Sequence, residues 1–400
     1  MIKQINYTKY INYALIAYAF SFPISKAATN LFEVLAILLW LFEGNWREKF
    51  SLYKENLLTI VIALLIGFSL LSILWHGNSE TSLRYIAKYR HLLPIFVFYS
   101  SFERRYISHI LSAFLAAMFI SEVVSYGIFF ELIHYKNISP TDPTPFMSHM
   151  TYSTILAFTV NILLVRFFYE KELKYKLFYI FFFITATTNL FINGGRTGQI
   201  IFIVLIFITM LYSVKHKLKA IGISMIVLLV TFSLAYNFSL NFHRRLNGLS
   251  TDINNVVVHN NYDGSGGARL ALSIMGVHTF LEHPILGTGV GYTMKDIVKY
   301  ANESHFDGEY FKGFSDYHSG FLTISVQLGI VGLFISLLII YSLFTFKYAN
   351  REYKLLNVLF ATSFMMLSFT HNTFHTMNPM VFFALFAGFF NAISQRKEEQ

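Results

Sequence analysis

The chain has 400 residues and no cysteine. That absence excludes disulfides, thiolate metal sites and cysteine nucleophiles together. Charge is scarce too: Asp, Glu, Lys and Arg make up 13% of the residues, against about 25% in soluble globular domains. Hydrophobic residues reach 55%, so a soluble domain is excluded and an integral membrane protein is expected. The formal net charge of +9 does not point to nucleic acid. The basic residues are spread through short loops, as membrane topology requires.

What the chain does have is a series of long apolar runs. A helical span uses about 20 residues to cross a hydrocarbon core of about 30 Å, so the runs predict an all-α integral membrane protein with about twelve transmembrane helices. They lie near 10–27, 28–43, 57–75, 84–102, 107–133, 149–165, 177–193, 197–213, 220–236, 319–346, 355–370 and 376–394. The first resembles a signal peptide, with Ala27-Ala28 as a weak cleavage cue, but a second apolar run follows directly and an uncleaved anchor is the better reading. The fourth is the least regular, because Arg84, Lys88, Arg90 and His91 occupy its first half. One polar stretch interrupts the series. It divides the chain into transmembrane helices 1–9 (1–236), a large loop containing helices (237–317) and transmembrane helices 10–12 (318–400).

Orientation follows from the distribution of Lys and Arg. With a cytoplasmic amino terminus, the inward segments hold Lys3 and Lys9; Arg47, Lys49 and Lys54; Arg104 and Arg105; Arg166, Lys171, Lys174 and Lys176; Lys215, Lys217 and Lys219; Lys347, Arg351 and Lys354; and Arg396 and Lys397. These are the majority of the 31 Lys and Arg residues. The short outward loops are nearly free of cations. Both termini are therefore expected in the cytoplasm and the long loop outside, which in a bacterial inner membrane means the periplasm.

The outward cations run against that bias. Arg196 lies in Asn193-Gly194-Gly195-Arg196-Thr197-Gly198, a tight turn between two apolar spans. Glycines there open backbone conformations closed to other residues and let a ligand approach the main chain. Thr197 or Asn193 is a candidate cap for the helix that follows. An arginine at a helix amino terminus is electrostatically unfavourable alone but suits a bound anion; the alternative is a snorkelling interfacial arginine. Arg269 repeats the arrangement after Gly266-Gly267. Leu270, Ile274, Val277 and Leu281 recur at helical spacing and Pro284 stops the run, which places Arg269 in the first turn of an amphipathic helix. The alternative there is a solvated surface charge. Two arginines at two outward helix starts suggest a pyrophosphate clamp, since guanidinium binds phosphate bidentately.

His318 stands at the mouth of the tenth span, in Asp316-Tyr317-His318-Ser319-Gly320. Its titration range suits a general base on a sugar hydroxyl; the alternative is an interfacial histidine with an ordinary hydrogen bond. Asp316 is too close in sequence to be taken as its partner, and is a candidate only for orienting the ring. His371 and His375 have the i, i+4 spacing of a metal pair, but no acidic or cysteine ligand accompanies them and no metal is expected. Arg84, Lys88 and Arg90 form either a secondary ramp for lipid phosphates or a set of snorkelling cations. Aromatics, at 18%, are assigned mainly to interfacial belts and bundle packing.

In order along the chain come Gly194-Gly195-Arg196-Thr197-Gly198, Gly267-Ala268-Arg269-Leu270, the run His283-Pro284-Ile285-Leu286-Gly287-Thr288-Gly289-Val290-Gly291, His318, and Gln327-Leu328-Gly329-Ile330-Val331-Gly332. Together they resemble the O-antigen ligase and polymerase superfamily of bacterial envelope glycosyltransferases, closely over roughly 190–335 and only in span number and hydropathy before that. The resemblance implies a glycan donor carried on undecaprenyl pyrophosphate, no metal or other cofactor, no nucleotide sugar, and, for a ligase, a sugar of the lipid A core as acceptor. It implies that Arg196 and Arg269 hold the pyrophosphate and neutralise the leaving group. It implies that His318 deprotonates or orients the acceptor hydroxyl for an inverting transfer. The family often has an acidic residue where this chain has Gln327, so Gln327 receives no role. The ligase is the leading reading and a polymerase joining lipid-linked repeat units its nearest rival; a protein-glycosylating relative is disfavoured because those chains usually carry a further soluble domain. A lipid-linked glycan transporter without catalysis would show charges deep in its spans and inverted repeats, and neither is evident.

Overall fold

A computed structural model describes residues 6–76, 79–262, 264–291, 293–303, 306 and 308–394. Lys3, Arg396 and Lys397, and with them the two chain ends expected in the cytoplasm, lie outside the described residues. Among those described there is no strand. The helices are α1 (Tyr7–Ser21), α2 (Lys26–Glu43), α3 (Trp46–Glu55), α4 (Leu57–Leu71), α5 (Ile73–His76), α6 (Ser79–Ile86), α7 (Pro94–Ser101), α8 (Ile107–Phe129), α9 (His149–Tyr169) and α10 (Leu173–Ile192). They continue as α11 (Arg196–Ser213), α12 (Lys217–Phe238), α13 (Leu240–His259), α14 (Ser265–Glu282), α15 (Thr293–Glu303), α16 (Gly308–Phe311), α17 (Gly320–Thr345), α18 (Arg351–Thr370) and α19 (Met377–Ile393).

Among the described residues, eight helices are long and apolar enough to cross a membrane, or nine if the bent pair α2–α3 counts as one span. By that measure four of the twelve expected runs differ from a single long apolar helix, for physical reasons. The helix in the first run, α1, has only 15 residues. The second run ends in a 114° bend between α2 and α3, made by Gly44 and Asn45, both at positive φ. Lys49 staples that bend: its ammonium sits 2.9 Å from Glu43, donates to the Trp40 carbonyl at 3.0 Å and lies over the Trp40 and Trp46 rings. The fourth run is not one helix. It breaks into α6, a 3-10 segment Ala87–Leu92 and α7, with Pro94 opening α7. Its polar residues are folded inward or paired, and His91 Nδ1 lies 2.7 Å from the buried Glu33 carboxylate.

The centre of the bundle is α9, flanked by α10, α11 and α18; 83% of its span is buried, more than in any of the other seven. Beside it lies α19, too short to pass as a span yet buried along its length from Pro379 to Ile393. Phenylalanines fill this centre: Phe158 meets Phe386 edge-on at 4.9 Å, and Phe364 stacks on Phe383 at 4.5 Å. Packing rather than a sugar groove thus accounts for these rings.

The segment 237–317 builds four helices and its own small core. Ala271, Leu272 and Met275 of α14 pack with Ile297 and Ala301 of α15, Phe311 of α16, and Tyr317 and Val326. The run 283–291 docks on α17 where that helix is broken. Thr288 and Gly289 donate main-chain N–H groups to the carbonyls of Val326 and Gln327 at 2.9 Å, and Ile330 donates to Pro284 at 2.8 Å. The break is Gly329, at φ 63°, where any Cβ would fall on the Ile285 carbonyl. The loop reaches further, since Val290 accepts from Ser82 Oγ at 2.7 Å and donates to Ser72 Oγ at 3.1 Å. The glycines of the two quoted motifs therefore join the two halves of the chain.

Candidate functional site

The amino ends of α9, α11 and α14 converge on one cavity of about 70 Å³, lined by His149, Met150, Gly194, Arg196, Thr197, Gly266 and Arg269. At 10–15 Å³ per water, that is room for about five waters or one small polar group. Two guanidinium groups and an imidazole line it, and no carboxylate does. Helix amino ends add a partial positive charge of their own. That lining has the chemistry an anion requires.

Each arginine arrives there differently. Arg196 is the first residue of α11, whose amino cap is Gly195 with no side-chain cap bond. Asn193 does not cap the helix as expected; its side-chain Oδ1 accepts from the Gly195 N–H at 3.0 Å, tightening the turn. Thr197 does not cap it either and bonds Thr370 Oγ1 at 3.3 Å. The turn glycines do not adopt left-handed angles. They are there because α9 presses against them: a Cβ on Gly195 would collide with Ser153 Oγ, and one on Gly198 with the Ser153 main chain.

Arg269 sits one turn further along its helix than expected, because α14 starts at Ser265 and takes the glycine pair into its first turn. Gly267 is needed for a close approach, since a Cβ would stand 2.8 Å from Tyr262 Cα. From the second turn the guanidinium reaches Met150 Sδ of α9 at 3.0 Å. Burial lowers the pKa of Arg269 from arginine's ordinary value, and Arg196 beside it lowers it further. Arginine remains charged regardless. The two like charges are thus held together at a cost that an anion would offset.

His318 lies outside the cavity lining, in the turn before α17. Its φ is 51°, a left-handed conformation rare for non-glycine residues and often found at functional sites. Asp316 secures that turn, accepting from the His318 N–H at 2.7 Å. It does not orient the ring: Nδ1 is 3.9 Å from the carboxylate, too far for a hydrogen bond. Nδ1 is buried and without a partner. Burial lowers the His318 pKa, Arg269 lowers it further and Asp316 opposes both. The ring is therefore neutral at pH 7 and able to take a proton.

The three cations of the fourth run part company. Arg84 pairs with Glu80 in solvent at 3.1 Å. Arg90 donates to Asn30 Oδ1 at 3.1 Å. Lys88 lies over the Tyr85 ring, near enough to Asp316 for the two charges to interact. His149 and Met150 were not singled out in the sequence. Ser148-His149-Met150 just before an apolar run was the available signal, but nothing local showed which helix end it would meet. His149 Nδ1 is 3.0 Å from Asp142 Oδ2.

An apolar cavity of about 630 Å³ opens nearby between α8, α10 and α12, lined by Tyr126, Phe130, Phe191, Ile192, Leu234 and Phe238 among others. Ile192 stands two residues from Gly194 of the cationic cavity.

Fold and site together define a class: a multi-spanning helical protein with a cationic, carboxylate-free cavity at one end of its bundle. Residues 180–337 match the family model described as O-antigen ligase, a stretch that contains Arg196, Arg269 and His318. The match supports membership of the O-antigen ligase and polymerase superfamily, glycosyltransferase-like enzymes of bacterial membranes. No curated protein matches the chain.

Proposed function

We propose that this protein is an O-antigen ligase. It transfers a glycan from undecaprenyl pyrophosphate to a sugar of the lipid A core at the periplasmic face of the inner membrane, with inversion and without a metal. The observation that carries the reading is the meeting of Arg196 and Arg269 in one cavity without a carboxylate.

The pyrophosphate binds both guanidinium groups, which take up the charge that grows on the leaving oxygen. The polyprenyl tail lies in the apolar cavity between α8, α10 and α12. The acceptor hydroxyl gives its proton to the neutral His318 imidazole as its oxygen attacks the anomeric carbon. The bond from that carbon to the pyrophosphate oxygen breaks, and undecaprenyl pyrophosphate leaves. Attack opposite the leaving group inverts the anomeric centre.

Deletion of the gene and gel analysis of the lipopolysaccharide tests the reading. Bare core with accumulated lipid-linked polymer is the expected result. Core bearing a single repeat unit would instead mark a polymerase. A normal ladder restored by Arg196→Ala, Arg269→Ala and His318→Ala alike would remove the site from consideration.

A further inference from the structure

The carboxyl end of α18 lies between the two turns that carry the proposed chemistry. Thr370 bonds Thr197, next to Arg196, at 3.3 Å. Ser319, next to His318, donates to the Ser368 carbonyl at 3.4 Å. Gly320 fits tightly beside the same segment: a Cβ there would stand 3.2 Å from the His371 carbonyl and 2.5 Å from Thr373 Oγ1. His371 follows Thr370, at the residue where α18 ends in extended backbone.

His371 is only 8% exposed, yet neither ring nitrogen has a hydrogen-bond partner. Leaving a buried polar group unsatisfied is costly, and such groups call for an explanation. His375 makes the contrast, with Tyr89 Oη at 3.0 Å from its Nε2. The charged and titratable groups around His371 come from three elements: Asp316 and His318 before α17, Arg269 on α14 and His149 on α9. The contacts of Ser319 with Ser368 and of Gly320 with the His371 carbonyl place it on the His318 side of the site.

We propose that His371 is a second acceptor-binding residue, hydrogen-bonding two hydroxyl groups of the acceptor sugar beside the hydroxyl that His318 deprotonates. Neutral imidazole has one donating and one accepting nitrogen. A sugar diol satisfies both, because each hydroxyl donates and accepts. A pyrophosphate, which only accepts, would satisfy one. Burial pushes the His371 pKa down to about 4, with Asp316 opposing it and Arg269 among the groups that add to it, which keeps the ring in the neutral form this pairing needs. The assignment rests on the proposed reading of the site as a glycosyl transfer centre. It adds a part of the specificity for acceptor that Arg196, Arg269 and His318 leave open.

The test uses the full-length protein in nanodiscs with a lipid-linked glycan donor and lipid A core acceptor. Two lost neutral hydrogen bonds predict an acceptor KM raised by about tenfold or more in His371→Leu, with the donor KM and the binding of undecaprenyl pyrophosphate unchanged. His371→Gln, whose amide also donates and accepts, recovers most of that loss. The wild-type protein supplies a second measurement that does not depend on a variant folding. Acceptor deoxygenated at the hydroxyls flanking the reacting one shows the same rise in KM, and His371→Leu no longer distinguishes it from intact acceptor. An unchanged acceptor KM for the deoxygenated sugar overturns the inference, as does a rise confined to the donor KM in His371→Leu. If Arg196→Ala, Arg269→Ala and His318→Ala keep full activity, the reading of the site itself has failed. If they are inactive while His371→Leu binds acceptor normally, only this inference has.

Discussion

The turn at Gly194-Gly195-Arg196 and the helix start at Gly266-Gly267-Ala268-Arg269 look alike in sequence and are built differently. In the first, the glycines precede the helix, and Gly195 is required by contact with Ser153 of α9. In the second, they lie within the first turn of α14 and admit the chain at Tyr262. Both constructions deliver a guanidinium to the same cavity. A glycine pair before an arginine therefore signals close packing around a charged group, and the geometry that satisfies it is a matter for the partner helix.

The largest test of the comparison removes the charges. Arg196→Ala and Arg269→Ala should each lower kcat by about 100-fold or more in a transfer assay, the loss typical for one donor to a developing oxyanion. A fall for only one of them would break the equivalence of the two constructions. Lysine at either position should recover only part of the activity, since the bidentate geometry is lost.

The glycines come next. Gly198→Ala drives a methyl into the Ser153 main chain, and neither helix has a flexible atom to yield. Its cost should exceed the usual 1–3 kcal/mol or so of overpacking, while Gly267→Ala, against a loop, should cost about 1 kcal/mol. Thermal unfolding in detergent orders the two, and the reverse order would contradict the packing described for α9 and α11.

A smaller effect concerns pH. His318 must be neutral to accept a proton, and its pKa lies below the ordinary 6.5. Activity should therefore hold as pH falls through 6.5 and decline only below it. Asp316 raises that pKa, so Asp316→Asn, which keeps an oxygen for the His318 N–H, should move the acid limb of the kcat/KM profile to still lower pH. A shift upward would refute the assignment of His318 as the base.

The smallest expected effect is that of Arg84→Ala. Its pair with Glu80 is in solvent, with both side chains about three-quarters or more exposed, and such pairs contribute roughly 0–1 kcal/mol. Activity and thermal stability should both stay at wild-type levels. A lowered kcat/KM would restore the idea of a phosphate ramp through the fourth run.

Much of this was legible along the chain. The apolar runs marked nearly every long helix, and the end of α14 at Glu282 followed from its periodicity and Pro284. Arg196 and Arg269 stood out because cations at helix starts expected to face outward oppose the charge bias of a membrane protein, and His318 because it opens the next apolar run. The bends were less legible. A run of apolar residues looks the same whether it continues, as α8 does, or turns through 114° at Gly44, because the turn depends on Lys49 finding Glu43 and two tryptophans. His149 and the orphaned ring of His371 were invisible for a similar reason. Ser148-His149-Met150 and the His371/His375 spacing mark the residues but not their surroundings, which come from helices far away in the chain.

The sequence by itself determined that the chain is helical and membrane-borne, and which charged residues stand apart from the topology. Hydropathy and charge are sums over neighbours in the chain, so they survive without a fold. Only the tertiary structure decided that Arg196 and Arg269 share one cavity, that the 283–291 run docks on a broken α17, and that Asp316 holds the His318 backbone rather than its ring. The first two are relations between segments tens of residues apart, set by which surfaces pack, and the third is set by the left-handed turn at His318. No local pattern encodes them.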